Sequence, residues 1–181
     1  MPKQHPRGPF ADTLAENFSW ASAVGQLVGE LAREVQERLR DGLATARPAL
    51  DWQVEYRIAG TPVDVAGVGT DVLLLVELEW RRADPADNAA KLFRHLADGQ
   101  FDADRLLVAH VFTEYYDLAS GGVSSKRKNA EFVGRVAADT FDRLSYAPVE
   151  LAIDPPKRGG DLPKDWQESV DDAVDRVEEL V

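Results

Sequence analysis

"LLLVELEWRRADPADNAAKLFRHL", residues 73–96, decides how the chain is read. An apolar run takes in two glutamates spaced two apart, Glu77 and Glu79, and then meets Arg81 and Arg82. Strand side chains alternate faces with period two, so Leu73, Leu75, Glu77 and Glu79 share one face. Val72, Leu74, Val76, Leu78 and Trp80 line the other, which is wholly apolar and must be packed. The strand is therefore expected at the centre of a sheet, with two adjacent carboxylates at the end of one face. Like charges that close repel, and partial burial raises the cost of ionising both. A cation, either a metal or an arginine, would account for them.

Before this stretch, "DWQVEYRIAG" (51–60) and "TPVDVAGVGT" (61–70) read as two more strands. The first sets Trp52, Val54, Tyr56 and Ile58 on one face against Gln53, Glu55 and Arg57. The second sets Val63 and Val65 against Asp64 and Ala66. Short connections, Gly60-Thr61-Pro62 and the Gly-rich "GVGT", fold the three strands into an antiparallel meander. After it, a helix is predicted from about Ala86 to Ala97, capped by Asp84 with Pro85 in its first turn. "DRLLVAHVFTEYY" (104–116) reads as a buried fourth strand and "APVELAID" (147–154) as a fifth. Between them, "SSKRKNAEFVGRVAADTFDRL" (124–144) is a helix with a capping serine, and "KDWQESVDDAVDRVEEL" (164–180) is a last amphipathic helix. At the other end, Val24, Leu27, Val28, Leu31, Val35 and Leu39 recur at three- and four-residue steps, predicting a helix from Thr13 to about Ala44. Residues 1–12, with three prolines and no periodicity, are expected to be a loose arm. The order α-β-β-β-α-β, then α-β-α, implies one α/β domain over residues 13–181: a mixed sheet with helices on both faces.

Composition narrows the chemistry. Hydrophobic residues at 44% and charged residues at 29% are ordinary for a globular domain. The absence of cysteine excludes disulfides, thiolate zinc sites and cysteine nucleophiles. No apolar run approaches a membrane span and no signal-peptide core opens the chain, so a cytoplasmic protein without membrane contact is expected. The 21 basic residues against 32 acidic ones, net −11, argue against nucleic acid on average charge, but not on where the arginines sit. Lysine is scarce (Lys3, Lys91, Lys126, Lys128, Lys157, Lys164), and this Asp-rich, Lys-poor balance suits either a high-salt cytoplasm or a high-GC genome, which also favours Arg over Lys. No Gly-rich phosphate loop, His-Glu-x-x-His or Gly-x-Ser-x-Gly motif occurs.

The polar faces of the three strands together hold Glu55, Arg57, Asp64, Glu77 and Glu79. Pairing around the turns sets Asp64 near Leu75 and diagonally close to Glu77. Carboxylates gathered on a rigid sheet suit a hard cation such as Mg2+ or Mn2+. The plainer readings are a cross-strand ion pair of Asp64 with Arg57, and Glu77 and Glu79 answered by Arg81 or Arg82.

This arrangement, Asp64, twelve intervening residues, then Glu77-Leu78-Glu79 on the third strand, resembles the PD-(D/E)XK nuclease superfamily over roughly residues 20–115. Two departures stand out: Pro62 lies two positions before the Asp, and Glu79 occupies the usual lysine position. A Glu-x-Glu there is similar to the BamHI-like branch of restriction enzymes. The resemblance implies a restriction-endonuclease-like fold and a Mg2+-dependent endonuclease hydrolysing DNA. It implies Asp64, Glu77 and the Leu78 carbonyl as metal ligands, Glu55 completing a second metal position, and Glu79 as general base. Lys91, reaching in from the following helix, would replace the missing lysine. A homodimer is compatible with this reading. The alternative is a nuclease-derived module that binds nucleic acid or protein without cutting, and a third is an acidic interaction domain.

Nucleic-acid contacts are expected at Arg81 and Arg82, and at Lys126, Arg127 and Lys128. Basic residues at a helix start oppose the dipole, whereas phosphate binds there. His95 is expected at the solvated edge of its helix and His110 as a satisfied core histidine. Glu30 and Glu34 on the first helix carry little weight.

Overall fold

The computed structural model describes residues 29–157 and 160–180. The expected arm at 1–12 and the first half of the expected N-terminal helix lie outside the described residues. Helix α1 covers residues 29–46. It is followed by β1 (Asp51–Ile58), β2 (Thr61–Val68), β3 (Val72–Glu79), α2 (Pro85–Ala97) and β4 (Arg105–Thr113). A 3₁₀ turn (Glu114–Tyr116), α3 (Ser125–Thr140), β5 (Leu144–Leu151) and α4 (Trp166–Glu178) complete the order. The strands form one mixed sheet in the order β1-β2-β3-β4-β5. The β1/β2 and β2/β3 ladders are antiparallel, and β3/β4 and β4/β5 are parallel. The meander and the central place of β3 are as expected. The fifth strand starts earlier than expected, at Leu144.

Local sequence explains the helix starts. Asp84 caps α2 by accepting the Asp87 N–H at 3.2 Å, with Pro85 where a missing N–H costs nothing. Ser124 caps α3. The core has two layers, one on each side of the sheet. Leu74, Val76 and Leu78 of β3, and Trp80 just beyond it, pack with Val35, Leu39 and Leu43 of α1 and Val170, Val174 and Val177 of α4. Leu73 and Leu75 pack with Ala89, Leu92, Phe93 and Leu96 of α2. Glu77 and Glu79 continue that second face, so both carboxylates stand on the α2 side.

Strict alternation fails on β1 and β2. Trp52 and Val54 pack on the α1 side, but Tyr56 and Ile58 pack on the α2 side. Val65 and Val63 divide in the same way. The switch falls at Glu55, whose φ of 52° is left-handed backbone inside a strand. Such a residue reverses the pleat at some cost in strain. The tip of the β1–β2 hairpin is thereby carried over to α2, where Thr61 Oγ1 meets His95 Nε2 at 2.9 Å. His95 is buried there, not on a solvated edge. Pro62, lacking an N–H, lies beyond the last β2–β3 pair, where no ladder bond is lost. No helix among the described residues is long and apolar enough to cross a membrane.

Candidate functional site

The β2–β3 ladder ends at Val65 opposite Val76, and the strands part beyond it. Asp64 is the first residue in the fork, in register with Glu77 and not with Leu75 as expected; Leu75 pairs Ala66. Its carboxylate replaces the missing ladder bonds. Oδ2 accepts the Leu78 N–H at 2.7 Å and Oδ1 accepts Gln36 Nε2 of α1 at 2.5 Å. Asp64 is buried by this arrangement. The cross-strand pair with Arg57 does not form: Arg57 pairs Pro62 in the ladder, and its guanidinium donates to the Gly60 carbonyl at 3.0 Å.

Glu77 and Glu79 are tied together from α2. Asn88 Nδ2 donates to Glu77 Oε2 and to Glu79 Oε1, both at 3.1 Å. His110 Nε2, from β4, lies 3.1 Å from the same Glu79 Oε1. Both contacts fall on Oε1, and Oε2 is left buried with no hydrogen-bond partner. Glu79 itself is 0% exposed. The nearest cation is Arg82, whose Nε is 3.8 Å from Glu79 Oε2 and whose Nη2 is 3.9 Å from Asp64 Oδ1. Those distances are ion-pair range but too long for hydrogen bonds. Tyr116 holds Arg82 there through its backbone, since the hydroxyl accepts the Arg82 N–H at 3.0 Å and donates to the Arg82 carbonyl at 3.1 Å. Three carboxylates thus share one half-exposed guanidinium.

The electrostatics follow from this shortage of positive charge. Burial pushes the Asp64 carboxyl up to about 6, helped by the charges of Glu79 and Glu55 and opposed by Arg82 and the Leu78 N–H. Burial also raises Glu77 well above the usual carboxylate range, with Asp64 and Glu79 adding to it and Arg82 and Asn88 opposing. For Glu79 burial acts in the same direction, but the contacts with His110, Asn88 and Arg82 outweigh it and hold its carboxyl below the usual value. Neighbouring carboxyls therefore separate into two reluctant anions and one committed anion, a pattern typical of functional sites.

The remaining expected site residues fall elsewhere. Glu55 is exposed at the β1 kink and reaches Asp64 only as a charge. Among the described residues no group of three or more His, Asp or Glu side chains is arranged to hold a metal, so a second metal position at Glu55 has no support. The oxygen donors at the fork reduce to Asp64, Glu77 and the Leu78 carbonyl, which already accepts the Trp80 N–H at 3.1 Å and keeps one lone pair. Lys91 does not reach in; it is exposed and tethered to Asp87 at 2.6 Å, one turn back on α2. Arg82 holds the cationic position instead. Arg81 donates to the Pro156 carbonyl at 3.0 Å and stacks 5.2 Å from the Tyr115 ring. Arg127 is not a free phosphate contact: it is buried over Phe112, with Glu131 at 2.8 Å and Glu150 at 3.2 Å. Its buried side points into the protein because α3 must pack there, whereas Lys126 and Lys128 stay exposed. Glu30 and Glu34 are exposed on α1.

Sequence reasoning missed Gln36, Asn88, Tyr116 and Tyr146, and placed His110 in the core without a task. A polar residue inside the apolar run "LLVAHVF" was the signal available for His110. Gln36 and Asn88 are ordinary helix residues by pattern, and only the fork shows what they face. The chain matches no protein-family model, and no curated protein matches it significantly.

Proposed function

We propose that the chain is a Mg2+-dependent endonuclease that hydrolyses DNA phosphodiester bonds on a restriction-endonuclease-like fold. The observation that carries this reading is the buried cluster at the strand fork: Asp64, Glu77 and Glu79 face one guanidinium, and one Glu79 oxygen is left without a donor. A stability role alone is a poor account of it, since buried uncompensated charge is costly. Two carboxylates and a backbone carbonyl are a hard-oxygen set, and Mg2+ is commonly held by one or two carboxylates with waters and substrate phosphate filling the rest. Asp64, Glu77 and the Leu78 carbonyl would hold it, and it would polarise the scissile phosphate. Glu79, anchored through Oε1, would act as the base for the attacking water through Oε2 once Arg82, 3.8 Å from that buried oxygen, turns away. The water oxygen bonds to phosphorus as the bond to the leaving sugar oxygen breaks, and that oxygen takes a proton from solvent. Arg82, half exposed on its clamped backbone, would turn to the phosphate charge. Exposed Lys126 and Lys128 supply backbone contacts to the DNA.

A second reading, a nuclease-derived binding module that no longer cuts, is favoured by Lys91, which is held on the outer face of α2 away from the carboxylates. Supercoiled and linear DNA incubated with the full chain and Mg2+ or Mn2+, at low and at molar salt, decides between them. The endonuclease cuts, and chelator, Asp64→Asn or Glu77→Gln stops the cutting. Metal-dependent retention of DNA without cleavage leaves the binding module. Neither retention nor cleavage at any salt concentration sinks the endonuclease and any nucleic-acid-binding module alike.

A further inference from the structure

We propose that Tyr146 is a positioning residue that acts through His110 to hold the Glu79 carboxylate by Oε1, which leaves Oε2 as its one unengaged oxygen. The role assigned to Oε2 rests on the endonuclease reading; the hydrogen-bond chain itself does not. His110 is 1% exposed and both of its ring nitrogens are engaged, Nε2 with Glu79 Oε1 at 3.1 Å and Nδ1 with the Tyr146 hydroxyl at 3.1 Å. An ionised carboxylate only accepts, so Nε2 carries the hydrogen in that contact. The Tyr146 hydroxyl, able to donate or to accept, engages Nδ1 in either case. The hydroxyl thereby holds the ring so that Nε2 meets Glu79. This is the orienting logic by which a partner on one ring nitrogen decides what the other can do.

Tyr146 is itself held from three sides. Its ring meets Phe93 of α2 edge to face at 6.2 Å and 73°, and His110 at 6.0 Å and 75°. On the third side is Gly134 of α3, where an added Cβ would overlap the Tyr146 ring. Across the imidazole, Phe112 lies 4.3 Å away, so the His110 ring has no room to turn over. Glu79 Oε1 receives Asn88 and His110 together, and the orphan Oε2 is what this arrangement leaves for chemistry. No motif announces the chain, because its members are spread over β3, β4 and β5.

The test uses the full chain with 15N-labelled histidine, metal-free, and the variant Tyr146→Phe, which keeps the ring packing and removes only the hydroxyl. In Tyr146→Phe the His110 Nδ1 resonance moves from that of a hydrogen-bonded nitrogen to that of an unbonded one, while the rest of the spectrum stays folded. Cleavage of DNA then falls about tenfold in kcat, the usual scale for an orienting partner, with KM for DNA and the Mn2+ affinity unchanged. Gly134→Ala, which displaces the same ring, reproduces the Nδ1 change with the hydroxyl still present. An unchanged Nδ1 resonance in folded Tyr146→Phe overturns the proposal, and so does a wild-type kcat there. If the wild type cuts no DNA, the endonuclease reading has failed, and the Nδ1 measurement alone decides whether Tyr146 positions Glu79 through His110.

Discussion

Replacing Asp64 by asparagine in the metal-free protein isolates the cost of charge at the strand fork. Asn is isosteric, so the fork keeps its shape. Its amide oxygen can take the Leu78 N–H, and its amide nitrogen can donate to Gln36 once that side chain turns its oxygen inward. In the wild type the carboxyl is raised from 3.8 to about 6, chiefly by burial. At about 1.36 kcal/mol per pH unit, that rise corresponds to about 3 kcal/mol of stability withheld when Asp64 is charged. The sign is opposite to that of a salt-bridged aspartate. Below 3.8 the group is neutral in both folded and unfolded chains and costs nothing. Between 3.8 and about 6 the folded chain keeps a proton that the unfolded chain releases, so stability falls as pH rises through this window and is level above it. Asp64→Asn should therefore be more stable than wild type by about 3 kcal/mol at pH 8, and nearly equal to it at pH 4. Urea unfolding in chelator at the two pH values reads this as a midpoint difference present at pH 8 and nearly absent at pH 4, at constant slope. If Asp64→Asn is destabilised equally at both, Asp64 is a structural tie for Gln36 and Leu78, and the argument for an under-compensated cluster fails.

Other substitutions probe the supports of the site. Glu55→Gly removes a left-handed non-glycine residue from the β1 kink and should raise stability by about 1 kcal/mol; a lower melting temperature would show that the Glu55 side chain holds the kink. Gly134→Ala should destabilise by about 1–3 kcal/mol, because overlap with the Tyr146 ring outweighs the roughly 1 kcal/mol that helix propensity favours alanine. A stabilised variant would mean the ring has room to move. Arg127→Met should cost about 2 kcal/mol in urea unfolding and leave DNA retention unchanged, because the guanidinium serves Glu131 and Glu150. Lys126→Ala with Lys128→Ala should do the reverse, leaving stability intact and flattening the salt dependence of DNA retention by about two phosphates. Unchanged retention would remove α3 from the proposed DNA-contacting surface.

Much of the architecture was legible because it is written in short-range pattern. The alternation around Glu77 and Glu79 identified the face and the central place of β3, and Asp84-Pro85 marked the start of α2. What periodicity could not show was Glu55, where backbone with positive φ reverses the pleat of β1 and sends Tyr56, Ile58 and Val63 to the other side of the sheet. A glutamate carries no turn signal, so the reversal is a tertiary demand that no local rule encodes. At the site, Glu77 and Glu79 share a face because a two-residue period is a sequence property, whereas Asp64 meets Glu77 through a strand fork that the pattern did not show. Lys91 and Arg127 were misplaced for one reason: helix position alone does not say which side is covered. Lys91 met Asp87 on its own helix, and Arg127 was enclosed by the packing of α3 against β5. The residues that tune Glu79, Asn88 and His110, come from separate elements, and their meeting is a product of the folded sheet.

The account depends on the fork being a divalent-cation site, and calorimetric titration of the metal-free full chain with Mn2+ tests that most directly. One ion should bind per chain, with affinity falling at least about tenfold in Asp64→Asn and in Glu77→Gln, and holding in Glu55→Gln and Lys91→Ala. Failure of the wild type to bind, or equal affinity in Asp64→Asn and Glu77→Gln, would contradict it.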